Sequence, residues 1–380
     1  MSLRVAVVTE SFLPSVNGVT NSVVRVLESL KADGHEAIVL APTSPASEYL
    51  GFPVTKINRV YIKQFAVALP HRKLAKILNE FEPDVIHVAA PFAFGRQAIK
   101  VAKRLGIPSI AIYQTDISGY AARYGLPVLR PAIDRLIGAI HRRATINLAP
   151  TQEGADYLRR IGANHVSIWG RGVNLDQFNP QHRRAAAVGD YRAILSPEGQ
   201  KIIGFVGRLA TEKQVDRFAE FFGLANVSFL IVGDGPERPR LEKLFAGQRV
   251  IFTGKLAGDD LSHAYASMDV FVHCGTEETF GQTIQEAQAS GLAVIAPNVG
   301  GPSFLIDSGK TGILVNPAEN KPYRYAVVQL LENPSKISSL GESARQSVIG
   351  KSWTANNEQL VKHYRNAIDL NTLMRGLLVR

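Results

Sequence analysis

A chain of 380 residues, 46% hydrophobic and 20% charged, is too long for one ordinary domain, suits two that each bury a core, and has the composition of a soluble globular protein. A single cysteine, Cys274, excludes a disulfide framework and fits a reducing cytoplasm. No run approaches the roughly 18 apolar residues that span a bilayer, and the apolar run 5–8, soon followed by Glu10, is too short for a signal peptide. The net charge of +10 is uneven, with 20 Lys and Arg against 12 Asp and Glu in residues 1–170 and near balance thereafter. The first half therefore suits an acidic partner: an anionic membrane surface, an acidic acceptor or a nucleic acid. Zinc-ligand spacing and aromatic–basic RNA-binding patterns are missing, which argues against the nucleic acid.

The predicted elements alternate strand and helix twice over. Residues 4–9 are a β-branched run ending in a polar loop, 19–30 has helical periodicity and stops near Gly34, and 37–41 is the next strand. Strands over 85–88, 109–113 and 144–149 follow. Residues 181–200 mix charge, Ala and turn residues and read as a surface excursion. Strands over 202–206, 227–232, 250–253, 270–273 and 293–296 make up a second set, and 354–372 reads as a helix. Runs that are apolar on both faces and alternate with helices predict parallel sheets in an α/β, doubly wound fold. The expected domains are 1–172 and 173–359, with the stretch from about 360 to 380 able to pack back on the first.

Open α/β sheets bind ligands beyond the carboxyl ends of their strands, so the loops after strands are the places to look. The loop after the first strand carries Asn17 and Gly18 and opens a helix; a glycine there lets backbone N–H groups approach an anion. It is not G-x-G-x-x-G, which argues against a dinucleotide oxidoreductase or epimerase. After residues 202–206 come Gly207, Arg208 and Lys213, again read as strand to helix. An Arg fork and a Lys point charge at a positive helix start suit a diphosphate. Glu278 and Glu286 bracket Phe280 and Gly281, with Glu286 one turn inside a helix; two carboxylates so placed accept hydrogen bonds from sugar hydroxyls. Gln114 and Asp116 follow a first-domain strand, with Tyr120 and Tyr124 beyond, and His87 ends another; all sit where a substrate would be met. Each has a plainer reading, as a turn, a cap or a packed side chain. Cys274 has no histidine partner that would make it a nucleophile.

In combination these segments resemble family 4 of the retaining glycosyltransferases, over essentially the whole chain. The markers are Asn17-Gly18, Gly207-Arg208 with Lys213, Val232-Gly233-Asp234-Gly235-Pro236, Glu278 with Glu286, and Gly300-Gly301. The resemblance implies a GT-B fold, two Rossmann-like domains facing across a cleft. The segments 10–14 and 113–116 are similar to GDP-mannose-dependent α-mannosyltransferases of actinobacterial glycolipid synthesis, of the glucuronosyl diacylglycerol or phosphatidylinositol mannoside type. It further implies that Arg208 and Lys213 neutralise the leaving diphosphate and that Glu278 holds the sugar with backbone N–H groups of Phe280 and Gly281. Glu286 would hold the ribose, Lys255 and Leu256 would receive the base, and Asn17, Gly18, Gly207, Gly233, Gln282 and Thr283 would complete the donor site. His87, Asp116, Tyr120 and Tyr124 fall on the acceptor side. Many members carry histidine where this chain has Gln114, which cannot titrate but can hydrogen-bond a sugar hydroxyl.

The implied reaction is mannosyl transfer with retention, with no metal or other cofactor, since no Asp-x-Asp pair is present. The expected partners are a nucleotide sugar, a glycolipid acceptor and an anionic membrane surface at the cytoplasmic face. Residues 120–143 alternate arginines with apolar residues and are expected to make that contact. A UDP-sugar donor and an inactive sugar-nucleotide-binding relative are the alternatives.

Overall fold

The computed structural model describes residues 2–378 except 16, 43, 45, 63–64 and 115–129. The chain divides into two compact units, Met1–Arg171 together with Trp353–Arg380, and Gly172–Ser352. The return to the first unit thus starts at Trp353, earlier than the expected position near 360.

The first unit is built on strands β1 (Arg4–Val8), β2 (Glu36–Ala41), β3 (Glu48–Tyr49), β4 (Phe52–Lys56), β7 (Val85–Val88), β8 (Ser109–Ile112), β9 (Ile146–Ala149) and β10 (Val166–Ile168), with β5 (Arg59–Ile62) and β6 (Phe65–Ala68) forming a separate antiparallel pair. The sheet order is β10-β9-β8-β7-β1-β2-β4-β3, parallel except for β3 against β4. Val5 to Val8 are fully buried, as strands covered on both faces require. The helix Gly18–Ala32 places Val23, Val26, Leu27 and Leu30 on one stripe, each at most 1% exposed. The C-terminal helix Trp353–Leu378 adds Leu360, Tyr364 and Ala367 to the same core. Its start is pinned by Trp169 Nε1 donating to the Asn356 carbonyl at 2.9 Å and Asn357 Nδ2 donating to the Arg25 carbonyl at 2.9 Å.

The second unit holds β11 (Lys201–Val206), β12 (Val227–Val232), β13 (Val250–Gly254), β14 (Val270–Val272), β15 (Ala293–Pro297) and β16 (Ile313–Val315) in the order β13-β12-β11-β14-β15-β16, all parallel. One face packs Phe205, Phe218, Phe221, Phe229 and Phe245 into an aromatic core. The order changes direction at β11 and β14, the switch point where such sheets take ligands.

Two expectations are corrected by this architecture. Residues 181–200 are more than a surface excursion: a 3-10 turn Pro180–Arg184 leads into the helix Ala186–Leu195, which buries Val188 and Leu195. The segment after β11 is not an α-helix but two 3-10 pieces, Thr211–Lys213 and Val215–Phe221. So short a 3-10 turn aligns few peptide dipoles, and the positive helix start expected near Arg208 and Lys213 is not there.

Candidate active site

The loops at the carboxyl ends of the second sheet pack backbone against backbone, and glycine is what lets them. At Gly233, with φ +128°, an added Cβ would fall 1.9 Å from the Gly207 carbonyl oxygen. At Gly301 it would fall 2.3 Å from that of Phe280, and the Gly301 N–H donates to the Glu278 carbonyl at 2.7 Å. The loop after β14 is thereby clamped by the loop after β15, which fixes Glu278, Phe280 and Gly281 in place.

Lys213 and Glu278, 65 residues apart, meet in this loop layer: Lys213 Nζ lies 2.5 Å from Glu278 Oε2, with side-chain exposures of 22% and 21%. His273 is 1% exposed, and its Nε2 lies 3.8 Å from the same carboxylate oxygen. Burial lowers the imidazole to about 4 against a smaller opposing effect of Glu278, so the ring is neutral at pH 7. Arg208 is exposed, while Gly207 beside it sends its N–H to the Val232 carbonyl at 3.0 Å.

Gly281, with φ +98°, opens the helix Gln282–Ala289, a left-handed conformation that a side chain would strain. Glu286 lies one turn inside, half-buried, accepting from the Tyr265 hydroxyl at 2.9 Å. Desolvation pushes its carboxyl up to about 7, against the lowering effect of that hydrogen bond. Thr283 offers its carbonyl to the same hydroxyl at 3.2 Å, and Gln282 Nε2 donates to the Gly172 carbonyl at 3.0 Å. Phe280 is buried in the core, Leu256 packs against that core, and Lys255 is exposed.

In the first unit, Asn17 caps the helix Gly18–Ala32, accepting from the Val19 and Thr20 N–H groups at 3.0 Å each. Two backbone N–H groups of this helix start are thereby taken by the cap. Beside Gly18 stands Arg171: a Cβ on Gly18 would fall 2.8 Å from its guanidinium. Arg171 also donates to Gln114 Oε1 at 3.2 Å, and Gln114 Nε2 donates to the Ala89 carbonyl at 2.7 Å. Gln114 is thus 6% exposed and held at both ends of its amide.

His87 does not stand on an acceptor surface. It is 1% exposed, pairs with Tyr364 of the C-terminal helix at 2.7 Å, and is lowered to about 3 by burial, so it joins helix to sheet. Asp116, Tyr120 and Tyr124 lie outside the described residues. In the helix Arg130–His141 the apolar face turns inward, with Ile137 and Ile140 buried, and leaves Arg130 and Arg135 exposed, as are Arg142 and Arg143 beyond it. The described part of the 120–143 segment therefore offers charge to a surface, not apolar side chains for insertion. Among the described residues no helix is long and apolar enough to cross a membrane.

Three residues of this arrangement were not singled out by sequence: Arg171, Tyr265 and His273. His273 carried a readable signal, a polar residue following directly on a buried strand beside a glycine loop. Arg171 and Tyr265 carried none, since their partners are 57 and 21 residues away.

Two Rossmann-like units with a cationic–carboxylate loop layer at the sheet switch point define a GT-B glycosyltransferase. Residues 16–177 match the model described as Glycosyltransferase Family 4, and residues 200–333 match Glycosyl transferases group 1. The chain is 43% identical over 378 residues to a GDP-mannose-dependent alpha-mannosyltransferase of Corynebacterium glutamicum, covering 97% of this chain and 90% of that one. It is 28% identical over 371 residues to an alpha-monoglucosyldiacylglycerol synthase of Acholeplasma laidlawii, covering 91% and 92%. In fold it matches Anabaena Alr3699/HepE, solved in complex with UDP, with a TM-score of 0.79 at 17% identity over 96% of this chain and all of that one. The chain belongs to glycosyltransferase family 4.

Proposed function

We propose that this enzyme transfers mannose from GDP-mannose, with retention and without a metal ion, to a glycolipid acceptor at an anionic membrane surface. The acceptor is of the glucuronosyl diacylglycerol or phosphatidylinositol mannoside type. The observation that carries the reading is the Lys213–Glu278 pair at the sheet switch point: an ammonium for a departing diphosphate joined to a carboxylate for sugar hydroxyls. The mannosyl and guanine parts are supported by the 43% identity to a GDP-mannose-dependent enzyme, and a lipid acceptor by the likeness to a glucosyldiacylglycerol synthase.

In this reading Arg208 and Lys213 stabilise the leaving diphosphate and so supply most of the rate acceleration. Glu278, with the Phe280 and Gly281 N–H groups, holds the mannosyl ring; Glu286 holds the ribose, and Lys255 and Leu256 flank the base. The anomeric carbon gains oxocarbenium character as the C–O bond breaks. The acceptor hydroxyl then attacks from the face the diphosphate leaves and gives its proton to a phosphate oxygen, so no protein base is needed.

A thermal-shift panel of GDP and UDP sugars, followed by radiolabelled mannose transfer to lipid extracts, tests this. Stabilisation and transfer with GDP-mannose are expected. A response confined to UDP sugars would move the enzyme to the other donor class, and binding without transfer would make it an inactive relative.

A further inference from the structure

The Lys213–Glu278 pair sets the proposed reaction a difficulty, and the role inferred for its neighbour His273 rests on that reading. Lys213 Nζ is committed to Glu278 Oε2, yet the reaction needs the ammonium on the diphosphate and the carboxylate on the sugar. As the ammonium moves off, the partly buried carboxylate loses the charge that offsets its own. His273 Nε2 lies 3.8 Å from that same oxygen. Its ring is buried, and neither nitrogen makes a hydrogen bond of ordinary geometry, the Gly275 backbone being its only other polar influence besides Lys213 and Glu278 among the described residues. Buried polar atoms are nearly always paired, so an imidazole left this way beside a carboxylate is a feature with a use. Protonation is not that use, because burial keeps the ring neutral, at about 4. A neutral imidazole still donates through one nitrogen, and closing 3.8 Å to a hydrogen bond takes a shift of roughly 1 Å. The surroundings are stiff: a Cβ on Gly275 would meet the Glu212 carbonyl oxygen at 2.8 Å and His273 Nε2 at 3.3 Å, so the loop, the imidazole and the Lys213 segment pack as one piece.

We propose that His273 is a positioning residue of the donor site, which becomes the hydrogen-bond donor to Glu278 when the diphosphate draws Lys213 away and so keeps the carboxylate aimed at the sugar. The exchange is tested by comparing wild type, His273→Phe and His273→Gln for GDP affinity, thermal midpoint, kcat and KM. Phe keeps ring volume and removes the donor, while Gln returns an N–H near the Nε2 position. His273→Phe is expected to bind GDP within about 2-fold of wild type while kcat falls about 10- to 100-fold, the scale for losing one hydrogen bond to a charged group, and His273→Gln recovers most of the loss. A residue that only fills space would lower GDP affinity and thermal midpoint together, with no rescue by Gln; that pattern, or unchanged kcat in the Phe variant, overturns the proposal.

A second measurement needs no variant to turn over. In wild type labelled with nitrogen-15 histidine, saturation with GDP moves one Nε2 proton downfield, a signal missing from His273→Gln. No movement overturns the exchange. Movement with GDP in an enzyme that transfers no mannose would leave the exchange standing and remove the mannosyl reading instead.

Discussion

The Tyr265 hydroxyl donates to Glu286 Oε2 at 2.9 Å within a core that otherwise desolvates the carboxyl. The two influences oppose each other, and burial wins, lifting the carboxyl from 4.5 to about 7. A raised acid binds its proton more tightly in the folded state. Its contribution is therefore full below the unfolded value and is lost as pH rises through about 7. The donor-free protein should lose thermal stability between about pH 4.5 and 7 relative to Glu286→Gln, by up to about 3 kcal/mol at full titration. Tyr265→Phe should move the transition to higher pH, since it removes a bond to the charged form. Parallel melting curves for wild type and Glu286→Gln across that range would contradict this.

Arg208 is exposed and offers its guanidinium to a ligand at little folding cost. Arg208→Ala should leave the thermal midpoint nearly unchanged and lower kcat by roughly 10²–10³-fold, the scale for one preorganised charge-stabilising donor. Single-turnover kinetics with GDP-mannose is the measurement, and a rate within a few-fold of wild type would remove Arg208 from the proposed role.

If Arg208 and Lys213 carry the charge of the leaving group, a divalent ion has no part left to play. Transfer rates in excess EDTA should match those in added magnesium or manganese. A rate restored only by the metal would count against this division of labour.

The pair His87–Tyr364 ties the last helix to the middle of the first sheet. Tyr364→Phe leaves a buried ring nitrogen without its partner and should lower stability by about 1–3 kcal/mol. Calorimetry reads this directly, and an unchanged midpoint would mean the hydroxyl contributes nothing.

With the apolar face of the helix Arg130–His141 turned inward, Arg130 and Arg135, together with the exposed Arg142 and Arg143, supply charge alone. Binding to anionic vesicles should then fall steeply with salt, because surface charges are screened beyond about 10 Å at 0.1 M. Salt-resistant flotation would point to insertion.

Much of the fold was legible in the sequence because parallel strands buried on both faces are written as nearly unbroken apolar runs, and β1, β2 and β15 are of that kind. The loops at Gly233, Gly281 and Gly301 were legible for a related reason: only glycine tolerates the backbone approaches at 233 and 301, and glycine is favoured at the left-handed φ of 281. The pairing of Lys213 with Glu278 was not, since 65 residues separate them and only the sheet order brings their loops together. The helical character of 186–195 was hidden by weak amphipathicity, and the 3-10 geometry after β11 looks like any strand-to-helix turn until the hydrogen bonds are seen. His87 misled because a polar residue at a strand end serves as readily to bind another helix as to bind a ligand.

Residues 353–380 belong with 1–171, which makes Gly172–Ser352 an insertion within the other unit. The ends of that insertion are stitched together, Val173 pairing with Ser352 and its N–H donating to the Lys351 carbonyl at 2.9 Å. On the ribosome, the half that is second in sequence is therefore complete first. The half that leads the chain waits for the final helix, with its Leu360, Tyr364 and Ala367, before its sheet is covered.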